Sequence, residues 1–271
     1  MNRSSLLLAL CLAFGSLLST VRANDASTNH CTYVLVHGAW GGGWDWRHVD
    51  DLLTADGNKV FRATLTGQGE RSHLASTNID LDMHIQDVVN LIVWEDLHDV
   101  VLVGHSYGGM VITGVADRIP DRIKHIVYLD AILPENGESA FAAIRGRTGL
   151  ITNNYILPTW VQGNPPPPHD VPMPVKTFSQ PISLTNQAVV QKLPATYILT
   201  VDPGQPAEKD TFYPFYVRAQ GRHWPAWIMT GDHNVSVPIV SNSFPCWKKP
   251  RSKSRPISLA GKILRRPKSR C

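Results

Sequence analysis

Short apolar runs rich in β-branched residues alternate with longer stretches of helical periodicity along most of the chain. Residues 32–36, 59–63, 100–103, 123–129, 196–201 and 225–229 have the length and composition of strands. Between the first two, residues 44–56 place Trp46, Val49, Leu52 and Leu53 on one helical face, and Gly57 ends the helix. Residues 80–94 repeat the pattern, with Ile85, Val88, Val89, Ile92 and Val93 at i, i+3, i+4 spacing. A third helix runs from just after Ser106 to about Asp117 and stops before Pro120, and a fourth is expected around 208–220. Strands alternating with helices predict a mostly parallel sheet flanked by helices with right-handed crossovers. In such a sheet ligands bind beyond the carboxyl ends of the strands.

The alternation breaks from Pro134. Four consecutive prolines at 165–168 and scattered Leu, Trp and Phe residues do not make a strand, and the segment is too long for a plain loop. Residues 134–195 are therefore expected to form a cap inserted above the active edge, with Phe141, Trp160 and Phe178 as candidates to line its pocket. With 271 residues, 43% hydrophobic and 18% charged, the remainder suits one domain, placed at 32–240.

Both ends differ in composition. Arg3, an apolar run over 6–18 and Val21-Arg22-Ala23 give residues 1–23 the form of a cleaved signal peptide, implying a secreted or periplasmic protein. That run is too short to span a bilayer, so no stable membrane insertion is expected. Of the 26 basic residues, ten lie beyond position 238 with no acid among them, leaving 16 against 22 acids in the body. Residues 241–271 read as a basic, disordered tail without the aromatic interleaving of a nucleic-acid binder, so no nucleic-acid partner is expected. Removing the leader leaves Cys31, Cys246 and Cys271, whose spacing specifies neither a disulfide nor a metal site.

Candidate chemistry centres on Gly104-His105-Ser106-Tyr107-Gly108, set between a buried strand and a helix. This is the context a nucleophile elbow requires: a sharp turn that lifts one hydroxyl above the sheet and aims helix N–H groups at the reacting centre. The glycine-rich loop His37-Gly38-Ala39-Trp40-Gly41-Gly42-Gly43 leaves the neighbouring strand, so the Ala39 and Tyr107 backbone N–H groups are the expected oxyanion hole. A serine needs a base, and His233 falls in the loop after the last strand. Asp202 and Asp130 each end a strand and could orient that imidazole; Asp202 is preferred and Asp130 is the alternative. His73 and Glu70 read as surface-loop residues, and Asp232 as a loop neighbour of the histidine.

Together, His37-Gly38-Ala39-Trp40, Gly104-His105-Ser106-Tyr107-Gly108-Gly109, Tyr128-Leu129-Asp130-Ala131 and Gly231-Asp232-His233 resemble the α/β-hydrolase superfamily, in its branch of plant methyl esterases and hydroxynitrile lyases. The stretch from Thr64 to Leu74 is similar to bacterial esterases of that branch, some acting on pyrethroid-type esters. The resemblance covers about 32–237 and implies an α/β-hydrolase fold, a triad of Ser106, Asp202 and His233, and a serine esterase acting on a small-molecule ester without cofactor or metal. Hydroxynitrile lyases of the branch carry a lysine after the histidine, where this chain has Asn234. The family also closes with an amphipathic helix, whereas Ser241 onward shows no such face. The alternatives are lyase-like activity or a non-catalytic small-molecule binder on the same fold.

Overall fold

The structure, a computed structural model, describes residues 30–145 and 149–234. The leader at 1–23, the end of the expected domain at 235–240 and the tail at 241–271 lie outside the described residues. Strands β1 (Thr32–Val36), β2 (Lys59–Ala63), β3 (Val100–Ser106) and β4 (Ile123–Ala131) come first along the chain. Three two-residue strands follow: β5 (Ile151–Thr152), β6 (Tyr155–Ile156) and β7 (Met173–Pro174). Then come β8 (Ala195–Val201) and β9 (Ala226–Thr230). The long strands form one sheet in the order β2-β1-β3-β4-β8-β9, with every pairing parallel.

Helices α1 (Arg47–Ala55), α2 (Leu81–Trp94) and α3 (Gly108–Arg118) provide the early crossovers. Alternation along the strands sends side chains to two cores. Tyr33, Leu35, Val101 and Val103 pack with Trp46, Val49 and Leu53 on the α1 side. On the other face, Val34, Val36 and Leu102 meet Ile85, Val88, Met110 and Ile112 of α2 and α3. Burial on both faces explains why these strands read as continuous apolar runs. Each fully buried aliphatic side chain contributes roughly 1.5–3 kcal/mol.

Sequence order reverses direction between β1 and β3: from β1 the chain moves outward to β2, then returns to build β3, β4, β8 and β9 on the other side. The carboxyl ends of β1 and β3 thus form the topological switch point, where crossovers diverge and leave a crevice. Val36 pairs with Gly104 there, so the glycine-rich loop and the elbow emerge side by side.

Several boundaries differ from the sequence expectation. The first helix begins as a 3-10 turn at Gly43–Trp46, and Leu52 is exposed instead of facing the core. The helix expected from 208 starts only at α7 (Tyr213–Gly221), after the cap helices α4 (Ala140–Ala143), α5 (Val175–Ser179) and α6 (Gln187–Val190). Before α7, the Asp210 carboxylate accepts the Phe212 N–H at 2.7 Å, and Pro214 is tolerated only in a first turn. Inside the expected cap, β5, β6 and β7 form a small antiparallel sheet that the proline-rich pattern did not announce. Edge strand β9 leaves Trp227 and Ile228 largely exposed. Cys31, for which the spacing specified no partner, is disulfide-bonded.

Polar contacts tie the segment expected as a cap to the loop after β1 and to α3. Trp40 Nε1–H donates to the Ile156 carbonyl at 3.0 Å, and Val171 N–H donates to the Trp40 carbonyl at 2.9 Å. Asp117 of α3 is buried, and its carboxylate accepts the N–H groups of Thr185 and Asn186 at 2.9 and 2.7 Å. A buried charge stays affordable only with such partners.

Candidate active site

Ser106 ends β3 with φ of +54°, a left-handed conformation that turns the chain sharply before α3. Such backbone costs energy in an L-residue and persists only where the surroundings impose it. Close packing leaves room for nothing larger than glycine on either side. A Cβ on Gly104 would lie 2.8 Å from the Gly108 carbonyl oxygen, and one on Gly108 would lie 2.8 Å from the His37 carbonyl oxygen.

His233 is brought to the serine from 127 positions further along. Its Nε2 stands 2.9 Å from Ser106 Oγ, and its Nδ1 stands 2.6 Å from Asp130 Oδ2. A carboxylate can only accept, so Nδ1 carries the ring proton and Nε2 is free to take one from the hydroxyl. Asp130 also has positive φ, +44°, and its side chain is 1% exposed. Its second oxygen accepts the Thr200 N–H from β8 at 3.1 Å.

This corrects the preferred acid. Asp202, at the end of β8, is exposed, and among the described residues nothing hydrogen-bonds its carboxylate. The carboxylate that meets the imidazole comes instead from the adjacent strand β4, at Asp130, whose backbone is left-handed. His73 stays exposed, with Nδ1 on the Glu70 carbonyl at 3.2 Å. Asp232 caps its own loop by accepting the Asn234 N–H at 2.8 Å.

Two further rings hold the histidine in place. Phe212 stacks on it at 4.7 Å between centroids and 13° between planes. His105 lies 4.7 Å away on a tilted plane, and its Nε2–H donates to the His233 carbonyl at 2.7 Å. Burial and the neighbouring His233 push the His105 imidazole down to about 3, so it stays neutral beside the His233 ring. Nothing in the pattern around Phe212 marked it, whereas His105 was visible inside the elbow motif.

Among the described residues the backbone N–H groups of Ala39 and Tyr107 have no hydrogen-bond partner. Tyr107 is anchored from below. Its hydroxyl donates to His84 Nδ1 at 3.1 Å, while His84 Nε2–H donates to the Thr66 carbonyl at 3.0 Å. Burial pushes His84 down to about 4. The Tyr107 ring stacks on Phe178 of α5 at 5.1 Å, and Phe178 meets Phe141 and Trp40. Trp160 stands edge-on to Trp40 at 5.0 Å. The three aromatics named from sequence thus join one cluster with Trp40 and Tyr107, with Phe178 buried inside it and Trp160 half exposed. Among the described residues no group of three or more His, Cys, Asp or Glu side chains could hold a metal ion, and no helix is long and apolar enough to cross a membrane.

Comparison with known proteins agrees with this architecture. A carbendazim hydrolyzing esterase of Nocardioides sp. (strain SG-4G) is 54% identical over 112 residues, which cover 41% of this chain and 46% of that protein. The chain thus spans under half the length of this curated relative. An extracellular alpha/beta-hydrolase from a Paenibacillus species, described as sharing structural and functional homology with tobacco salicylic acid binding protein 2, superposes with a TM-score of 0.59 at 25% identity. That match covers 77% of this chain and 93% of the other. A pyrethroid hydrolase shares the fold at a TM-score of 0.57 and 20% identity, over 74% of this chain and 88% of its own. The sequence profile of the alpha/beta hydrolase family matches residues 33–245. With the parallel sheet, the strained serine after β3 and a profile match over most of its length, the chain belongs to the alpha/beta hydrolase family.

Proposed function

We propose that the chain is a serine hydrolase that cleaves small carboxylic esters through an acyl-enzyme. The observation that carries this reading is the continuous hydrogen-bonded series Ser106–His233–Asp130, at 2.9 and 2.6 Å. A serine hydroxyl is a weak nucleophile until a base removes its proton. Here Ser106 Oγ attacks the ester carbonyl carbon while its proton passes to His233 Nε2. Asp130 holds the proton on Nδ1 and stabilises the imidazolium. The Ala39 and Tyr107 N–H groups donate to the carbonyl oxygen as it becomes negative. Collapse breaks the bond to the alcohol oxygen, which takes the proton from His233 and leaves. Water then attacks the acyl carbon, gives its proton to His233, and the acid departs as Ser106 regains its hydroxyl proton.

The esterase relatives support ester chemistry, and the aromatic cluster of Trp40, Phe141 and Phe178 supports an apolar acyl or alcohol group. Asn234, standing where the related lyases carry lysine, favours hydrolysis over cyanide release. Export remains part of the proposal and rests on the composition of residues 1–23 alone. With a short-chain p-nitrophenyl ester, Ser106→Ala lowers kcat by at least about 10⁴-fold, as loss of a nucleophile does in other serine hydrolases. A wild-type chain with no Ser106-dependent turnover would leave the binding-protein reading in its place.

A further inference from the structure

We propose that His37 is a positioning residue that builds one half of the oxyanion hole by fixing the orientation of the Gly38–Ala39 peptide. This rests on the serine-hydrolase reading of the same site. His37 follows β1 directly, is fully buried, and touches none of the reacting groups as a donor or acceptor. A buried imidazole must have its polar atoms satisfied. Both of its nitrogens are engaged, in opposite senses. Nε2 lies 3.1 Å from the backbone nitrogen of Leu65, whose N–H can only donate, so Nε2 carries no proton. In the neutral ring the proton is therefore on Nδ1, which donates to the Gly38 carbonyl at 2.7 Å. Burial pushes the imidazole down to about 4, so this tautomer persists throughout the neutral range.

The consequence follows from peptide planarity. In a trans peptide the carbonyl and the next N–H point in opposite directions. Among the described residues the single cis bond is Pro167-Pro168, so Gly38–Ala39 is trans. With the Gly38 oxygen held by His37, the Ala39 N–H is turned the other way and, among the described residues, has no partner. This peptide lies against the nucleophile: a Cβ on Gly38 would sit 3.0 Å from Ser106 Cβ. Were the plane reversed, an oxygen would replace the donor on the side where negative charge develops. The Leu65 amide thus sets the ring, the ring sets the peptide, and the peptide presents the donor.

His37→Leu removes both bonds, and His37→Gln keeps one donor and one acceptor. The Leu variant is expected to lose about 100-fold in kcat with KM within threefold of wild type, the effect of losing one oxyanion donor. An aryl boronic acid, which becomes tetrahedral on Ser106, loses affinity in parallel, while the planar carboxylate product binds as before. The Gln variant recovers at least tenfold of the loss. Nitrogen-resolved NMR of the wild-type chain, which needs no variant to fold, is expected to find His37 as the Nδ1–H tautomer. Three results would overturn the role: an Nε2–H tautomer, a Leu variant with kcat and boronate affinity within threefold of wild type, or equal loss of boronate and carboxylate binding. A wild-type chain that turns over no ester and forms no boronate adduct contradicts the hydrolase reading itself and the role of His37 with it.

Discussion

Asp130→Asn is expected to lower kcat for ester hydrolysis about 10³- to 10⁴-fold, whereas Asp202→Asn leaves it within threefold. The size of the first effect follows from two hydrogen bonds. Thr200 N–H occupies one carboxylate oxygen of Asp130, and His233 Nδ1–H occupies the other. In the asparagine variant the amide oxygen goes to the Thr200 N–H, because two donors cannot face each other. Its NH₂ group then points at His233 Nδ1, which must become an acceptor. The ring proton moves to Nε2, and the atom that should take the serine proton already holds one. KM changes little, since neither group touches the substrate, so steady-state kinetics of the two variants separate the acids cleanly. A large loss in Asp202→Asn with near-normal turnover in Asp130→Asn would return the role to the residue preferred from sequence.

Acid lability is the second large effect. His37 and His84 are buried as neutral rings, each pushed down from the usual 6.5 to about 4 mainly by burial. Between those values the unfolded chain binds a proton at each site and the folded chain does not. Stability therefore rises with pH across this window, is fully present above about 6.5, and is lost as pH falls toward 4. Each site contributes a slope of up to about 1.4 kcal/mol per pH unit, so the two together approach about 3 kcal/mol per unit. His105, pushed down to about 3, acts in the same direction. Against a typical total of about 5–15 kcal/mol, that slope removes a large share of the stability as pH falls toward 4. Urea titrations at pH 7, 6 and 5 should show the midpoint falling at each step. An unchanged midpoint from pH 7 to pH 5 would mean that these rings are not buried neutral.

The periodic pattern revealed the sheet and its main helices because burial on both faces writes long apolar runs, and the elbow was legible because its two glycines are sterically required. The choice of acid was not. Asp130 lies near the end of β4 and Asp202 just beyond β8, strands that are neighbours in the sheet, so spacing along the chain gives either one access to the same imidazole. What decides between them is a left-handed backbone at Asp130 and an N–H from Thr200, neither of which has a sequence signature. Two-residue strands in the cap fall below the length at which alternation can be recognised, so β5, β6 and β7 were hidden by the prolines around them. His37 was visible only as a member of the glycine-rich motif and His84 was not singled out, since nothing in a linear pattern distinguishes a histidine that pins a peptide from one that merely packs.

In the proposed mechanism the Ser106 hydroxyl becomes a nucleophile because His233 takes its proton. Mass spectrometry of the full chain stopped milliseconds after mixing with a p-nitrophenyl ester tests this directly. One added acyl group is expected on the peptide containing Ser106, absent in Ser106→Ala and formed at least about 10³-fold more slowly in His233→Ala. An acyl group on another residue, or one that forms on Ser106 at the wild-type rate without His233, would contradict it.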